Sequence, residues 1–526
     1  MPSGTGFGVA DWLVLAAYLL GSVGLGWWLS QRGAQTSKDY FLASGSMPVW
    51  LIAFSVLATT QSAATFLGGP DTGFRGDYTY LAGTLSMVLA SLGVSRFLLP
   101  RFYALQVTTV YELLNQRYGP VAMRAAGGMY LLGRVLANGS RLFMAALAVA
   151  MILFLRVDGG TILIATILIT ILGLILTIGG GLRSVITSDA IQFGVYVGAA
   201  VIVLILILSR LGLSSGELIS ALALPPEGGN KLTFLDFSFR LNDPFTVPAV
   251  ITGVALLNLG NFGLDQDTTQ RLLAAKDAQH AGKAIMWASL GALPIVFIFL
   301  SIGQLLHIFY ERTDLTGLEP AAEAVEATTV FMRYILSELP TGLRGLCGAA
   351  VLAAAVSTLT SGLNSMASVA VKDFYEPLVK RGAAFDAVRA GRIAMTAIAV
   401  VLLLTALLCY YWQQSTDLPL LEFALQVMVF AYAGLIGVFA AAIFTTRGSE
   451  TSIVAALAAG FLFVLIGDPA FGGSLGVPAA FTSMAFPWKL TLGSLVSFGV
   501  AVLPAGSNAK EDLMAEQDLQ ESHLHG

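Results

Sequence analysis

The chain has 526 residues, of which 56% are hydrophobic and only 11% are charged, and its formal net charge is −4. Soluble domains carry about 25% charged residues, so this composition excludes an ordinary soluble protein. Apolar runs of at least about 18 residues, which are long enough to cross a bilayer, recur along almost the whole chain and predict an all-α polytopic membrane protein.

We predict about 13 membrane-spanning helices, allowing about 20 residues for each span. Because this number is odd, the two chain ends are expected on opposite sides of the membrane. The expected spans, in chain order, are 11–31, 48–70, 78–99, 123–155, 159–178, 184–210, 247–270, 280–308, 345–374, 386–412, 418–445, 451–467 and 486–505.

Lysine and arginine residues are distributed unevenly between the loops on the two sides. Roughly 17 of them fall on one side and 9 on the other, and the richer set includes Arg271 after the seventh span. Loops rich in Lys and Arg remain in the cytoplasm, so the N-terminus is expected outside and the C-terminus inside.

Two arginines, Arg134 and Arg141, fall inside the fourth span. An arginine at mid-membrane costs at least about 2.5 kcal/mol on insertion scales, so it usually faces a cavity or a partner. Arg141 is nearer the outer end of the span, where snorkelling to the interface accounts for it. Arg134 lies deeper in the span, and we interpret it as a functional residue.

The ninth span carries many side-chain oxygens in the stretch LAAAVSTLTSGLNS at 352–365. A single serine in a membrane helix usually bonds back to its own helix or to a neighbouring one. A cluster of hydroxyls instead indicates half of an alkali-cation site, because neutral oxygens can replace the hydration shell of a small cation. One helical face carries Ser357, Ser361, Asn364 and Ser365, with Thr358 and Thr360 beside it.

The other half of such a site is expected from the backbone carbonyls of an interrupted helix. In the second span, residues 55–66 read SVLATTQSAATF, which combines polar and β-branched side chains of poor helix propensity. In the seventh span, residues 256–267 read LLNLGNFGLDQD, where Gly260 and Gly263 are expected to break the helix. Two broken spans five apart are typical of an inverted five-plus-five helix repeat.

This repeat predicts how the chain is organised. The expected parts are an N-terminal extra helix and loop (1–47), a first five-helix repeat (48–210), an extracellular loop (211–246), a second five-helix repeat (247–445), two additional C-terminal helices (446–505) and a disordered cytoplasmic tail (506–526).

A carboxylate lies in the sixth span, where Asp189 follows the stretch GGGLRSVITS. An acidic residue within a span is a functional candidate by default. The alternative interpretation is that Asp189 has a structural role and forms an ion pair with Arg183 at the membrane interface.

The order and spacing of several motifs resemble the solute:sodium symporter family, which has the leucine-transporter fold. The resemblance covers about residues 10–445. The motifs are DYFLASGSMPVW (39–50), SVLATTQSAATF (55–66), TTVYELLNQRYGP (108–120), GGLRSVITSDAIQ (180–192), DQDTTQRLLAAKD (265–277) and AAAVSTLTSGLNSMASVAVKDFY (353–375).

This resemblance implies one or two sodium sites. The principal site would take backbone carbonyls and two hydroxyls, from Ala58, Gln61, Ala354, Ser357 and Thr358. A second site would share Ser357 and add Asp189, Thr360 and Ser361.

Within the family, the strongest resemblance is to bacterial sialic acid symporters, through SVLATTQSAATF and LLGRVL (131–136). It implies that Arg134 clamps the carboxylate of the substrate. The sequence departs from that group at Tyr80 and Thr84. The other implied substrate residues are Thr60, Ser62, Thr65, Tyr80, Thr84, Asn258 and Asn261.

We therefore predict sodium-coupled symport of a sialic acid or related sugar acid by alternating access. The alternative within transport is a neutral sugar, polyol or small monocarboxylate, in which case Arg134 would pair with a protein carboxylate. A channel would need a repeated filter loop or an acidic ring. The four histidines have no metal-ligand spacing, which argues against an enzyme.

Expected partners are sodium, a small anionic solute and the lipid bilayer of a bacterial inner membrane. We expect a monomer and no nucleic acid.

Overall fold

The computed structural model describes residues 7–31, 37–178, 181–225, 229–320, 329–379, 386–414 and 420–503. These residues form helices joined by turns and loops, and no strand occurs among them. The expectation of an all-helical protein is confirmed. The tail predicted to be disordered, 506–526, lies outside the described residues.

The longer helices and the helix after the second break are labelled in chain order. They are α1 Val9–Ser30, α2 Val49–Thr60, α3 Ala63–Arg75, α4 Thr79–Leu105, α5 Pro120–Phe154, α6 Gly159–Thr177, α7 Gly181–Leu211, α8 Val247–Leu264, α9 Gln266–Leu273, α10 Ala278–Glu311, α11 Leu343–Val379, α12 Ala387–Gln413, α13 Leu420–Phe444, α14 Glu450–Ile466 and α15 Phe486–Ala501. Shorter helices are Ser37–Leu42, Glu112–Tyr118, Ser215–Ala223, Thr313–Thr316, Val330–Ser337, Pro469–Ser474 and Ala479–Thr482.

The predicted number of spans is not confirmed. Within the described residues, 10 helices are long and apolar enough to cross a membrane, or 11 when the bent pair α2–α3 is counted as one span. The last two predicted spans correspond to α14 and α15, which have only 17 and 16 residues.

The second span is broken where the sequence predicts it. Gln61 and Ser62 are extended, with ψ angles of 124° and 174°, and the axes of α2 and α3 differ by 65°. Thr60 ends α2 by donating its hydroxyl to the Leu57 carbonyl at 3.0 Å, a local bond that competes with continued helix.

The seventh span breaks two residues later than expected. Gly260 and Gly263 remain inside a π-helical turn, Gly260–Leu264, and the extended residue is Asp265, with a ψ of 120°. Gly263 serves close packing instead, because a Cβ atom there would lie 2.3 Å from Leu98 Cδ1. The expectation that these two glycines break the helix is therefore wrong.

The polar face of α11 points into the protein. This helix packs against α1, α5, α6 and α7, so it is surrounded by other helices. Ser357 and Ser361 are 1% and 0% exposed. Their hydroxyls must therefore find partners inside the bundle, because a buried polar group without one is costly.

Helices α3 and α10 approach closely at Gly303, where an added Cβ atom would lie 2.0 Å from the Pro70 carbonyl oxygen. Gly303→Ala is expected to destabilise the protein by about 1–3 kcal/mol, because the clash is with backbone and forces the helices apart. The measurement is the thermal unfolding midpoint in detergent. Gly194→Ala is the control, since a Cβ atom at Gly194 meets nothing within 4 Å and its midpoint should not fall. Equal midpoints for the two variants would contradict the close approach.

Candidate functional site

The break between α2 and α3 faces the polar stretch of α11. One space of about 180 Å³, open solvent included, is lined by Ala58, Gln61, Ala354 and Ser357. Since Ser62 is extended, the carbonyls of the last turn of α2 no longer have a full set of helical partners. The structure thus brings four of the five residues of the predicted principal sodium site around one space.

The fifth residue, Thr358, is adjacent on α11 and only 4% exposed. Its hydroxyl has no hydrogen-bond partner among the described residues. A buried hydroxyl without a partner is uncommon, and the lone pairs of this oxygen are available to a cation.

A larger cavity lies beside this break. Its volume is about 630 Å³, open solvent included. Its lining contains seven of the eight predicted substrate residues, from α2, α3, α4 and α8. These are Thr60, Ser62, Thr65, Tyr80, Thr84, Asn258 and Asn261.

The arginine that lines the cavity is Arg141. Its side chain is 9% exposed, so the expected snorkelling to an interface is wrong. Its hydrogen bonds to described residues have neutral acceptors: Nη1 donates to the Thr59 carbonyl oxygen at 3.5 Å, which is long, and Nη2 donates to the Met428 sulfur at 3.5 Å. No carboxylate of the described residues lies within ion-pair distance of its guanidinium.

Arg134 is not among the residues that line this cavity. Its Nη1 lies 2.9 Å from Asp265 Oδ2, and its Nη2 donates to Asp267 Oδ2. The arginine side chain is 2% exposed and both carboxylates are 0% exposed. Two buried carboxylates already compensate the charge of Arg134 in this structure, so this geometry does not support the predicted role as a clamp on the substrate, which stays a prediction. The hydroxyl of Tyr432 donates to Asp265 as well.

Asp189 is completely buried and lies next to the cation residues. Its Oδ1 accepts from Ser357 Oγ at 2.6 Å, and its Oδ2 accepts from Ser55 Oγ at 2.5 Å. Its ion-pair partner is Arg271, at 3.1 Å, whereas the partner proposed as an alternative, Arg183, donates to Ser46 instead. The assignment of Arg271 to a loop is also wrong, because this residue lies on α9 and is 0% exposed.

Comparison with known proteins decides the family. The model of the sodium:solute symporter family matches residues 40–460 of this chain. The chain belongs to the sodium:solute symporter family. It is therefore a transporter and not an enzyme.

Two bacterial relatives and one solved structure illustrate the membership. The sodium/sialic acid symporter NanT of Aliivibrio fischeri is 27% identical over 87% of this chain and 88% of its own length. The sodium/sialic acid symporter SiaT of Proteus mirabilis is 26% identical over 87% and 89%. A Na⁺-coupled sialic acid symporter, solved in a substrate-bound outward-open state, superposes with a TM-score of 0.78 at 24% identity, covering 94% of this chain and 98% of its own. The last comparison establishes the shared fold.

Sequence reasoning missed one polar residue at this symporter's cavity, Asn138 on α5. Its amide is 2% exposed and has no hydrogen-bond partner among the described residues. With Ser62, Arg141 and Thr358 it lines a space of about 220 Å³, open solvent included, which shares Ser62 and Arg141 with the larger cavity. The available signal was its spacing along α5. Asn138 lies three residues before Arg141 and four before Leu142, so the three side chains share one helical face.

Proposed function

We propose that this symporter couples the entry of sodium to the uptake of a sialic acid or a related carboxylate-bearing sugar acid by alternating access. The relatives NanT and SiaT, which are named for this activity, support the substrate class. The polar lining, with five hydroxyl-bearing residues between Thr60 and Thr84 and two amides from α8, suits a solute with many hydroxyl groups.

The observation that carries this proposal is the guanidinium of Arg141, which borders the cavity without a carboxylate partner among the described residues. A planar guanidinium binds a carboxylate through two parallel hydrogen bonds, so an anionic solute supplies the missing charge. The N-terminus of α3 borders the same cavity at Ser62 and Ala64. Its unpaired N–H groups and positive end of the helix dipole favour an anion too.

Sodium is proposed to bind at the principal site, through the carbonyls of Ala58, Gln61 and Ala354 and the hydroxyls of Ser357 and Thr358. These ligands are neutral oxygens, which hold a small monovalent cation without trapping it. Thr358 also borders the space that reaches Arg141. A sodium ion and a bound carboxylate would therefore lie on opposite sides of one small space and attract each other.

A neutral sugar or polyol is the second candidate, because the hydroxyl and amide lining would bind it as well. It would leave the Arg141 charge desolvated without compensation, which favours the acid. A small monocarboxylate would satisfy Arg141 but would leave the amides of Asn258 and Asn261 without a solute partner.

The test is a thermal-shift series on the purified protein with N-acetylneuraminic acid, its methyl ester and N-acetylmannosamine, each in sodium and in potassium chloride. Ligands that bind the folded state raise the unfolding midpoint. The acid in sodium is expected to give the largest rise and the ester a much smaller one. Equal rises for the acid and the neutral sugar would favour the second candidate.

Thr358→Ala is expected to raise the sodium concentration needed for half-maximal uptake, because one of the proposed sodium ligands is removed. Folding should be nearly unchanged, since an average hydrogen bond contributes about 1 kcal/mol and this hydroxyl makes none to the described residues. Uptake into proteoliposomes over a range of sodium concentrations measures the effect. Thr166→Ala is the matched control, since Thr166 is also buried but donates to its own helix, to the Ile162 carbonyl at 2.7 Å. If both variants share one sodium dependence, Thr358 is not a ligand.

We also propose that the protein is a monomer in a bacterial inner membrane, with its N-terminus outside and its C-terminus in the cytoplasm. The excess of Lys and Arg in alternate loops supports this orientation. When Arg271 is left out of the count of Lys and Arg residues in the loops, the same side still has the larger number.

A further inference from the structure

Arg271 on α9 is a completely buried arginine whose guanidinium is bonded on every edge. Its Nη1 lies 2.9 Å from Asp267 Oδ1 and its Nη2 lies 3.1 Å from Asp189 Oδ2. Its Nε donates to Ser55 Oγ at 2.8 Å, and its Nη2 donates to Ser361 Oγ. Such a set of contacts holds the positive charge in one place.

This guanidinium lies among the ligands expected for a second sodium ion. Asp189 and Ser361 are two of those ligands, and both contact Arg271 directly. A third, Thr360, instead donates its hydroxyl to the Ser357 carbonyl at 3.1 Å. The carboxylate that would neutralise a second ion is thus already neutralised by a cation that belongs to the chain.

We propose that Arg271 is a tethered cation that excludes sodium from the Asp189 site, so that this symporter binds a single sodium ion. The inference rests on the proposed sodium symport and specifies its stoichiometry. Sodium at Asp189 would have to displace the guanidinium and leave it with Asp267 alone, which Arg134 already shares. A buried arginine deprived of one of its two carboxylates is strongly disfavoured.

The formal charges of the buried cluster agree with one ion. Three arginines and three aspartates, which cancel, are Arg134, Arg141, Arg271, Asp189, Asp265 and Asp267. One sodium ion and one carboxylate then enter together without changing this sum. A second sodium ion would leave a net positive charge in a medium that solvates it poorly.

The experiment counts bound ions directly. Radioactive sodium is titrated onto the purified full-length protein in detergent without any organic solute, and the ions bound at saturation are counted per chain. We expect one ion for the wild type and two for Arg271→Gln, because removal of the guanidinium leaves Asp189, Ser55 and Ser361 as an oxygen site with one negative charge. Arg271→Lys keeps a positive charge near Asp189 and should bind one ion.

Two further measurements keep the outcome interpretable. Adding Asp189→Asn to Arg271→Gln should return the count from two to one, which separates a gained site from general loosening of the fold. If Arg271→Gln fails to fold, the comparison of the wild type with Asp189→Asn still tests the proposal. One sodium ion bound per chain in both proteins supports it. Two ions in the wild type that fall to one in Asp189→Asn would overturn it, as would one ion in a folded Arg271→Gln. No sodium binding to the wild type at all would instead count against the proposed symport.

Discussion

Arg141→Met is expected to weaken the binding of N-acetylneuraminic acid by at least about a hundredfold. Removing one member of a desolvated charge pair costs about 3–5 kcal/mol, and each step of about 1.4 kcal/mol is tenfold in affinity. Isothermal titration calorimetry in sodium measures the loss. Sodium binding without the acid should change little, because Arg141 is not among the proposed sodium ligands.

The same variant should fold as well as the wild type. Among the described residues, the Arg141 guanidinium makes two hydrogen bonds, both to neutral acceptors at 3.5 Å, and has no carboxylate partner. Replacing an uncompensated buried charge with an apolar side chain of similar length therefore removes a desolvation cost. We expect the unfolding midpoint of the ligand-free protein to stay level or rise.

Changes to the solute and to the side chain should agree. Arg141→Lys should restore affinity only in part, since lysine keeps the charge but lacks the planar two-pronged donor. The methyl ester should bind the wild type as weakly as the acid binds Arg141→Met, and combining the two changes should add little further loss. Equal binding of ester and acid to the wild type would show that no cation clamps the carboxylate.

The two arginines show what sequence alone can and cannot decide. Arg134 and Arg141 lie seven residues apart on α5, which is almost two full turns, so they share one helical face. Periodicity therefore gives no reason to prefer either. What separates them is a shift of about 10.5 Å along the helix axis. At the level of Arg134 lie Asp265, just before α9, and Asp267, on α9. At the level of Arg141, the break between α2 and α3 borders a cavity.

The grouping of the proposed cation residues around one space is more predictable from the sequence, because its signal is local. Hydroxyls in an apolar helix and a run of β-branched and polar residues in another are visible in the sequence, and the break at Gln61 follows from them. The partner of Asp189 was not visible, since Arg271 lies 82 positions away and is brought there only by the fold. For the same reason the sequence predicts a loop position for Arg271, which the structure does not confirm.

Arg134→Met is expected to destabilise the fold by about 3–5 kcal/mol, because it leaves Asp265 buried without a cation. Asp267 keeps Arg271, at 2.9 Å, so Asp265 bears most of the cost. Denaturant unfolding in mixed micelles measures the loss. Arg141→Met is the matched control, since it removes the same side chain from the same helix and should not lower the free energy of unfolding.

A second substitution identifies the cause. Asp265→Asn in the Arg134→Met background should recover part of the lost stability, because the buried carboxylate that lacks a partner is no longer charged. The asparagine oxygen can still accept the hydrogen bond from Tyr432, so that contact need not be lost.

The resemblance to sialic acid symporters makes the opposite prediction, in which Arg134 clamps the substrate. That prediction would hold if Arg134→Met kept the wild-type free energy of unfolding but lost affinity for the acid, while Arg141→Met kept its affinity. The clamp would then be Arg134, and its ion pairs with Asp265 and Asp267 would have to open when the substrate binds.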